Sequence, residues 1–303
     1  MTKKHRKFME DDFDLDLYIK EQSDKTIIKK IQEQSRKLSG IVKILLIVAS
    51  FITAYTLYSY ASYLIEVWRD NRINETARDI TEQASVLETP YVPETQINII
   101  SQGVNKQSRV ILTPTPILMP AIIDLRDAFQ NDDICAYLKI EGCNIDFPVV
   151  KSDDNTYYLT HDLRGQKNAA GSAFLDYENE IYPLGFNTVV YAHNMRDGSM
   201  FHNLRYYKEA DYFETHKKIS LQTLHEDTLW EIFSFYETDI SFLYNTTTFN
   251  STDDFIIFAN LVKEKSQYPS DIIFTEDSRI LTLSTCTNHN ADSRYVAHAY
   301  RIK

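Results

Sequence analysis

The chain has 303 residues, 43% of them hydrophobic, which leaves room for one domain of ordinary size plus appendages. Its net charge of −11 argues against a nucleic-acid-binding surface. Gly is scarce at 7 residues while Tyr and Phe reach 20 and 16, which suits a β-rich body, and no Gly-rich phosphate loop or internal repeat implies a cofactor.

In chain order, residues 1–40 are strongly charged and read as a cytoplasmic tail. Residues 41–65 read as an anchor, because Ile44 to Ile65 carries no charge and about 20 such residues cross a bilayer as a helix. Tyr55, Tyr58, Tyr60 and Tyr63 crowd its second half, as an interface favours. Lys29, Lys30, Arg36, Lys37 and Lys43 precede it, so the positive-inside bias puts the N-terminus in the cytoplasm and the remainder outside. Residues 66–120 read as a helical stalk, Glu66 to Leu87, followed by a linker holding Pro90, Pro93, Pro114, Pro116 and Pro120.

Residues 121–303 read as the body. A short helix is predicted at Ala121–Gln130 and a hairpin at Ala136–Ile140 and Ile145–Val150. Ser172–Leu175, Thr188–Ala192, Lys218–Leu224 and Leu229–Tyr236 are further strands, and Phe201–Thr215 reads as short helical pieces. Asp253–Lys265 has an acidic start, an apolar face and a basic end, which fits a helix and its dipole. Arg279–Thr285 and Tyr295–Ile302 are strands joined by the polar loop Thr287–Ser293. Many short strands with few helices fit a barrel or a sandwich.

The chemistry concentrates at strand ends. Cys286 leaves one predicted strand and Arg294 enters the next, so antiparallel pairing would put them at one rim. A thiol of pKa about 8.5 is only roughly 3% ionised at pH 7, and a guanidinium alongside favours the thiolate. His193 also sits where a strand gives way to a polar loop, and its imidazole is the best proton-transfer partner for a cysteine nucleophile. Cys135 and Cys143 fall at opposite ends of the first hairpin, so no disulfide between them is expected. Cys286 and His289 form a C-x2-H pair, but no second pair has zinc-ligand spacing, so no metal is assigned. His298 reads as a packed or hydrogen-bonded residue that shares a strand face with Arg294, Val296 and Tyr300. His161, His202, His216 and His225, with Arg196 and Arg205, read as surface.

TLSTC followed by an Arg eight residues on, together with YAHNMRDGSMF upstream, resembles the sortases, the membrane-bound cysteine transpeptidases of Gram-positive bacteria. Cys286, His193 and Arg294 match that family's catalytic positions one by one. The long His-to-Cys separation and the segments LKIEGCNIDFPVV, DDNTYYL and AGSAFLDYEN resemble class B, over roughly Asp124 to Lys303. The resemblance implies a mainly β, eight-stranded sortase-type barrel with short helices. It implies cleavage of an NPxTN-like sorting motif after Thr, through a thioacyl intermediate. The product is then joined to an amine of a cell-wall stem peptide or a pilin. It also implies that Asn155 and Leu159 line the peptide groove and that Tyr244 lies in a substrate-contacting segment. Ser284, one face-step before Cys286, reads as a substrate contact at the rim or as plain strand packing, and Thr285 is taken with it as substrate-binding. Two rival readings are a membrane-tethered cysteine endopeptidase that uses water as acceptor, and a non-enzymatic adhesin on the same barrel.

Overall fold

Alternating apolar residues along the body become eight strands that close into a barrel in the computed structural model, which describes residues 15–86, 119–286 and 292–303. The charged start, most of the Pro-rich linker and the loop carrying His289 lie outside the described residues. The strands are β1 Ile134–Ile140, β2 Asp146–Val150, β3 Ala173–Leu175, β4 Asn187–Tyr191, β5 Lys218–Thr223, β6 Asp227–Asp239, β7 Ile280–Cys286 and β8 Ser293–Arg301. Around the barrel they run β1-β2-β3-β4-β7-β8-β6-β5, and β5 pairs with β1 to close it. Pairs β2–β3 and β4–β7 are parallel, and the other pairs are antiparallel. Each sequence-predicted strand is present with its ends shifted by at most two residues, except β6, which runs longer at both ends.

Period-two alternation sorts each strand between two environments. Leu281 and Leu283 of β7 and Tyr295, Ala297 and Ala299 of β8 fill the barrel interior, while Ile280, Val296 and Tyr300 pack outward. The outward residues meet α4, Thr252–Glu264, which buries Phe255, Phe258, Ala259 and Val262. Ser251 caps this helix by accepting from the Asp254 N–H at 3.1 Å, and Asp253 and Asp254 complement its dipole. The opposite wall of β1, β2 and β3 is covered by α2, Pro120–Phe129, through Ile122, Leu125 and Phe129. A register shift between Ile134 and Ala136 turns Ile134 out to this layer and leaves Cys135 inside. A 3-10 helix, Phe201–Lys208, and α3, Ala210–Thr215, follow β4.

The first helix, α1, is Leu15–Val86. Its residues up to Leu64 form one unit, and Ile65 onward clusters with the barrel. A helix within Gln22–Ser85 is long and apolar enough to cross a membrane, with a window of mean hydropathy 2.0, consistent with a single-pass anchor. Residues 66–86 continue α1 as helix and also pack on the barrel. Ile73, Ala77 and Ile80 make an i, i+4, i+7 stripe that packs on α2 and the β1–β3 wall. The Arg78 side chain donates to the Asp146 carbonyl at 3.2 Å, and Arg69 to that of Lys167 at 3.3 Å.

Asp70 makes this docking pH-dependent. It is 7% exposed and accepts a short hydrogen bond from Asn168. Burial, with Asp162 and Asp197 nearby, raises its carboxyl to about 6 against the lowering pull of Asn168 and Arg69. The folded chain thus holds this proton more tightly than the unfolded one. The associated stabilisation is present below about pH 4 and is lost as pH rises through about 6. Asp70→Asn keeps an acceptor for Asn168 without the buried charge. Melts of the detergent-solubilised chain should show the variant stabilised at pH 8, by an amount on the order of 2–3 kcal/mol, with the difference vanishing near pH 4. Equal stability at pH 8 would remove Asp70 as the pH-sensitive contact.

Candidate active site

Three neighbouring strands carry the three predicted catalytic positions to one rim of the barrel. β4 and β7 run parallel with Tyr191 opposite Ser284, and the pairing continues through the Ala192 N–H donating to the Ser284 carbonyl at 3.3 Å. His193 lies two residues past Tyr191 and Cys286 two past Ser284, so both fall at the same end of adjacent strands. On the other side β7 pairs antiparallel with β8, and Cys286 is directly opposite Arg294. The backbone order across the rim is therefore His193, Cys286, Arg294. Arg294 also pairs with Thr238 of β6, and its Nη1 donates to the Ser293 carbonyl at 3.0 Å.

His193 is held on both sides. The Phe201 N–H donates to its carbonyl at 2.9 Å, and a bridge between Asn194 and Met200 closes the loop after it. Its Nε2 lies 2.8 Å from the Leu159 carbonyl oxygen. A carbonyl only accepts, so Nε2 carries a proton and Nδ1 is the nitrogen left for exchange. That carbonyl is in turn fitted against Gly171, whose φ of +60° suits glycine. A Cβ on Gly171 would fall against the Tyr158 carbonyl oxygen and 2.8 Å from that of Leu159. Gly171→Ala should therefore displace the acceptor that orients His193. We expect kcat/KM to fall about 100-fold, as an ångström-scale misplacement can cause, with loss of the slowly exchanging imidazole N–H signal by NMR. Unchanged turnover in a folded Gly171→Ala chain would contradict that orienting contact.

Of the predicted peptide-contacting residues, Ser284 and Tyr244 meet each other, the Ser284 hydroxyl donating to the Tyr244 phenol oxygen at 3.0 Å. Leu159 is half-buried and contributes its carbonyl. Asn155 is committed to the fold, with Nδ2 donating to Asp176 at 3.0 Å and Oδ1 accepting from the Tyr177 N–H at 2.9 Å. Thr285 takes the interior phase of β7 shared by Leu281 and Leu283 and is 3% exposed with its hydroxyl unpaired. Tyr191, Asp176 and Asn245 were not singled out in the sequence, yet they are joined behind this rim. The Tyr191 phenol donates to Asp176 at 2.9 Å and accepts from Asn245 at 2.8 Å. The available signal was strand phase, since Tyr191 precedes His193 by the same two residues that separate Ser284 from Cys286.

The remaining histidines and thiols sort by burial. His298 is fully buried, 2.7 Å from the Tyr236 phenol and 2.8 Å from the Thr282 hydroxyl. Thr282 gives its one proton to Asn187 at 2.7 Å, so His298 Nδ1 donates to Thr282 and Nε2 accepts from Tyr236. Burial lowers its pKa to about 3, which keeps it neutral and outside proton exchange. His202 also departs from its surface assignment, at 8% exposed with Nδ1 unpaired. Cys135 and Cys143 are free thiols, donating to the carbonyls of Val149 and Ile140 at 3.4 Å each. Burial pushes Cys135 up to about 12 and raises Cys143, so neither supplies thiolate readily. Among the described residues no group of three or more His, Cys, Asp or Glu is arranged to hold a metal ion.

The sortase domain profile matches residues 138–302, over half of the chain and all three rim positions. The chain belongs to the sortase family. Sortase B of Listeria monocytogenes is 42% identical over 164 residues, 54% of this chain and 67% of the relative. Among solved structures, sortase B of Bacillus anthracis in complex with AAEK1 aligns with a TM-score of 0.63 at 28% identity, covering 79% of this chain and 99% of that one. The Staphylococcus aureus sortase B–substrate complex aligns at 0.58 with 32% identity, covering 61% and 86%. This sortase is a class B-like cysteine transpeptidase on an eight-stranded closed barrel.

Proposed function

We propose that Cys286 is the nucleophile, His193 the proton-transfer group and Arg294 the oxyanion stabiliser of this sortase. The observation that carries the assignment is their meeting at one rim on the adjacent strands β4, β7 and β8. The Cys286 sulfur attacks the threonine carbonyl of a sorting peptide, and the proton of the thiol passes to His193 Nδ1. Arg294 holds the charge that grows on the carbonyl oxygen. The tetrahedral species collapses as the C–N bond breaks and His193 returns the proton to the leaving amine. The resulting thioacyl enzyme is attacked by an incoming amine, whose proton goes to His193, and the sulfur departs as thiolate. The sorting motif is of the NPxTN type, and the acceptor is an amine of a cell-wall stem peptide or a pilin. The N-terminus is cytoplasmic, residues 44–65 span the membrane and the barrel works outside, as the basic residues before the span favour.

The competing reading is an endopeptidase with water as acceptor. Incubating the detergent-solubilised chain with an NPxTN-type peptide, with and without a primary amine, separates the two. Transpeptidation gives ligated product that rises with amine concentration at the expense of free acid. Free acid alone, at every amine concentration, would favour the endopeptidase.

A further inference from the structure

Four consecutive residues of the β6–α4 loop are each tied to the barrel wall beside the rim. Tyr244 accepts from Ser284 of β7 at 3.0 Å, and Asn245 donates to Tyr191 of β4 at 2.8 Å. The Thr246 carbonyl accepts from Asn187 of β4 at 2.9 Å, and the Thr247 hydroxyl donates to Glu178 at 2.8 Å. Asp176, just past β3 and 4% exposed, stands at the centre of these ties. One carboxylate oxygen accepts from both Asn155, at 3.0 Å, and the Tyr191 phenol, at 2.9 Å. The other accepts from the Glu178 N–H at 3.0 Å.

The donor directions make this a chain rather than a cluster. Tyr191 gives its only proton to Asp176, which leaves its oxygen lone pairs for Asn245. Burial raises the Tyr191 phenol above its ordinary pKa, so it keeps that proton throughout the working pH range. Asn155 gives one N–H to Asp176 and takes the Tyr177 N–H, which fixes the segment that runs on to Leu159. Asp176 thus joins two separate stretches, one ending at the carbonyl that orients His193 and one carrying Tyr244 and Asn245.

We propose that Asp176 is a positioning residue for the sorting peptide, setting the spacing between the Asn155–Leu159 segment and the Tyr244–Thr247 loop through Asn155 and the Tyr191–Asn245 pair. The proposal rests on the transpeptidase reading of the rim. It separates peptide positioning from the chemical step. Losing the Asp176 ties loosens the loop and weakens capture of the peptide. His193 keeps its acceptor, because Leu159 is held on both sides without Asp176, by the Ser172 N–H on the Tyr158 carbonyl and the Asn168 N–H on that of Thr160, at 2.9 Å each. Charge on Asp176 is not consumed in any step, and the residue does not touch the reacting atoms.

The test uses the full chain in detergent, with Asp176→Asn, Tyr191→Phe and the double variant. Tyr191→Phe is isosteric, removes both links of the phenol and guards against a folding failure at Asp176. Steady-state transpeptidation of an NPxTN-type peptide should show KM for the peptide raised about tenfold in each single variant. It should show kcat and KM for the amine within about twofold of wild type. The double variant should be little worse than either single one, because both break the same chain. Amide hydrogen exchange at residues 241–249 should accelerate in all three while residues 255–262 of α4 stay protected. Unchanged peptide KM, or a fall in kcat with KM unchanged, would overturn the proposal. So would unchanged exchange at 241–249. If wild type itself fails to turn the peptide over, the transpeptidase reading fails instead, and the exchange data still decide whether Asp176 orders the loop.

Discussion

Cys286→Ala should reduce turnover of a sorting peptide by at least about 10³-fold, to the background set by binding alone. No second thiol can replace it. Cys135 is pushed up to about 12, which leaves roughly 10⁻⁵ of it ionised at pH 7. Cys143 is also raised and lies in the β1–β2 turn, held by the Ile140 carbonyl. The fold should survive, because Cys286 is the final residue of β7 and the interior phase of that strand is carried by Leu281 and Leu283. The measurement is kcat/KM for ligation alongside a thermal melt. Residual activity above about a tenth of wild type would remove Cys286 as nucleophile.

Arg294→Ala should lower kcat by about 10²–10³-fold, the range for losing one oxyanion donor, with peptide KM little changed. Its position depends on β8 being paired on both sides, with Cys286 of β7 and with Thr238 of β6. Such pairing holds the backbone of this residue directly opposite that of Cys286. Lysine should restore little, because a point charge on a flexible stem does not reproduce the planar fork. Pre-steady-state acylation rates give the cleanest reading. Acylation within about threefold of wild type in Arg294→Ala would remove the assigned role.

The strands and α4 were legible because each depends on local pattern. The alternation of Arg279–Thr285 survives as β7, and the acidic start and apolar face of Asp253–Lys265 survive as α4. Cys286 opposite Arg294 followed from a short connection between two strands, the cheapest pairing to form. Convergence with His193 depends on the parallel pairing of β4 with β7, which no local pattern specifies. It became legible only through the TLSTC and YAHNM resemblance. The docked part of α1 was missed because Arg69, Asp70, Arg72 and Arg78 interrupt the Ile73–Ala77–Ile80 stripe and make the segment look solvated. Asp176 was missed for a related reason. A carboxylate in a turn after a strand reads as surface, and only long-range partners such as Tyr191 and Asn155 make it a hub. Thr285 shares the interior phase of Leu281 and Leu283, opposite to that of Ser284, a separation visible in the alternation of the strand.

The central claim is that acyl transfer passes through the sulfur at the end of β7. Trypsin cuts after Arg279 and Arg294, which isolates Cys286 in one fragment, residues 280–294, apart from Cys135 and Cys143. Brief incubation with an NPxTN-type peptide in the absence of amine, followed by acid quench and mass spectrometry, should show the acyl group on that fragment. It should disappear when a primary amine is added. An acyl group on a fragment holding Cys135 or Cys143, or ligated product with no modified fragment at any quench time, would contradict the account.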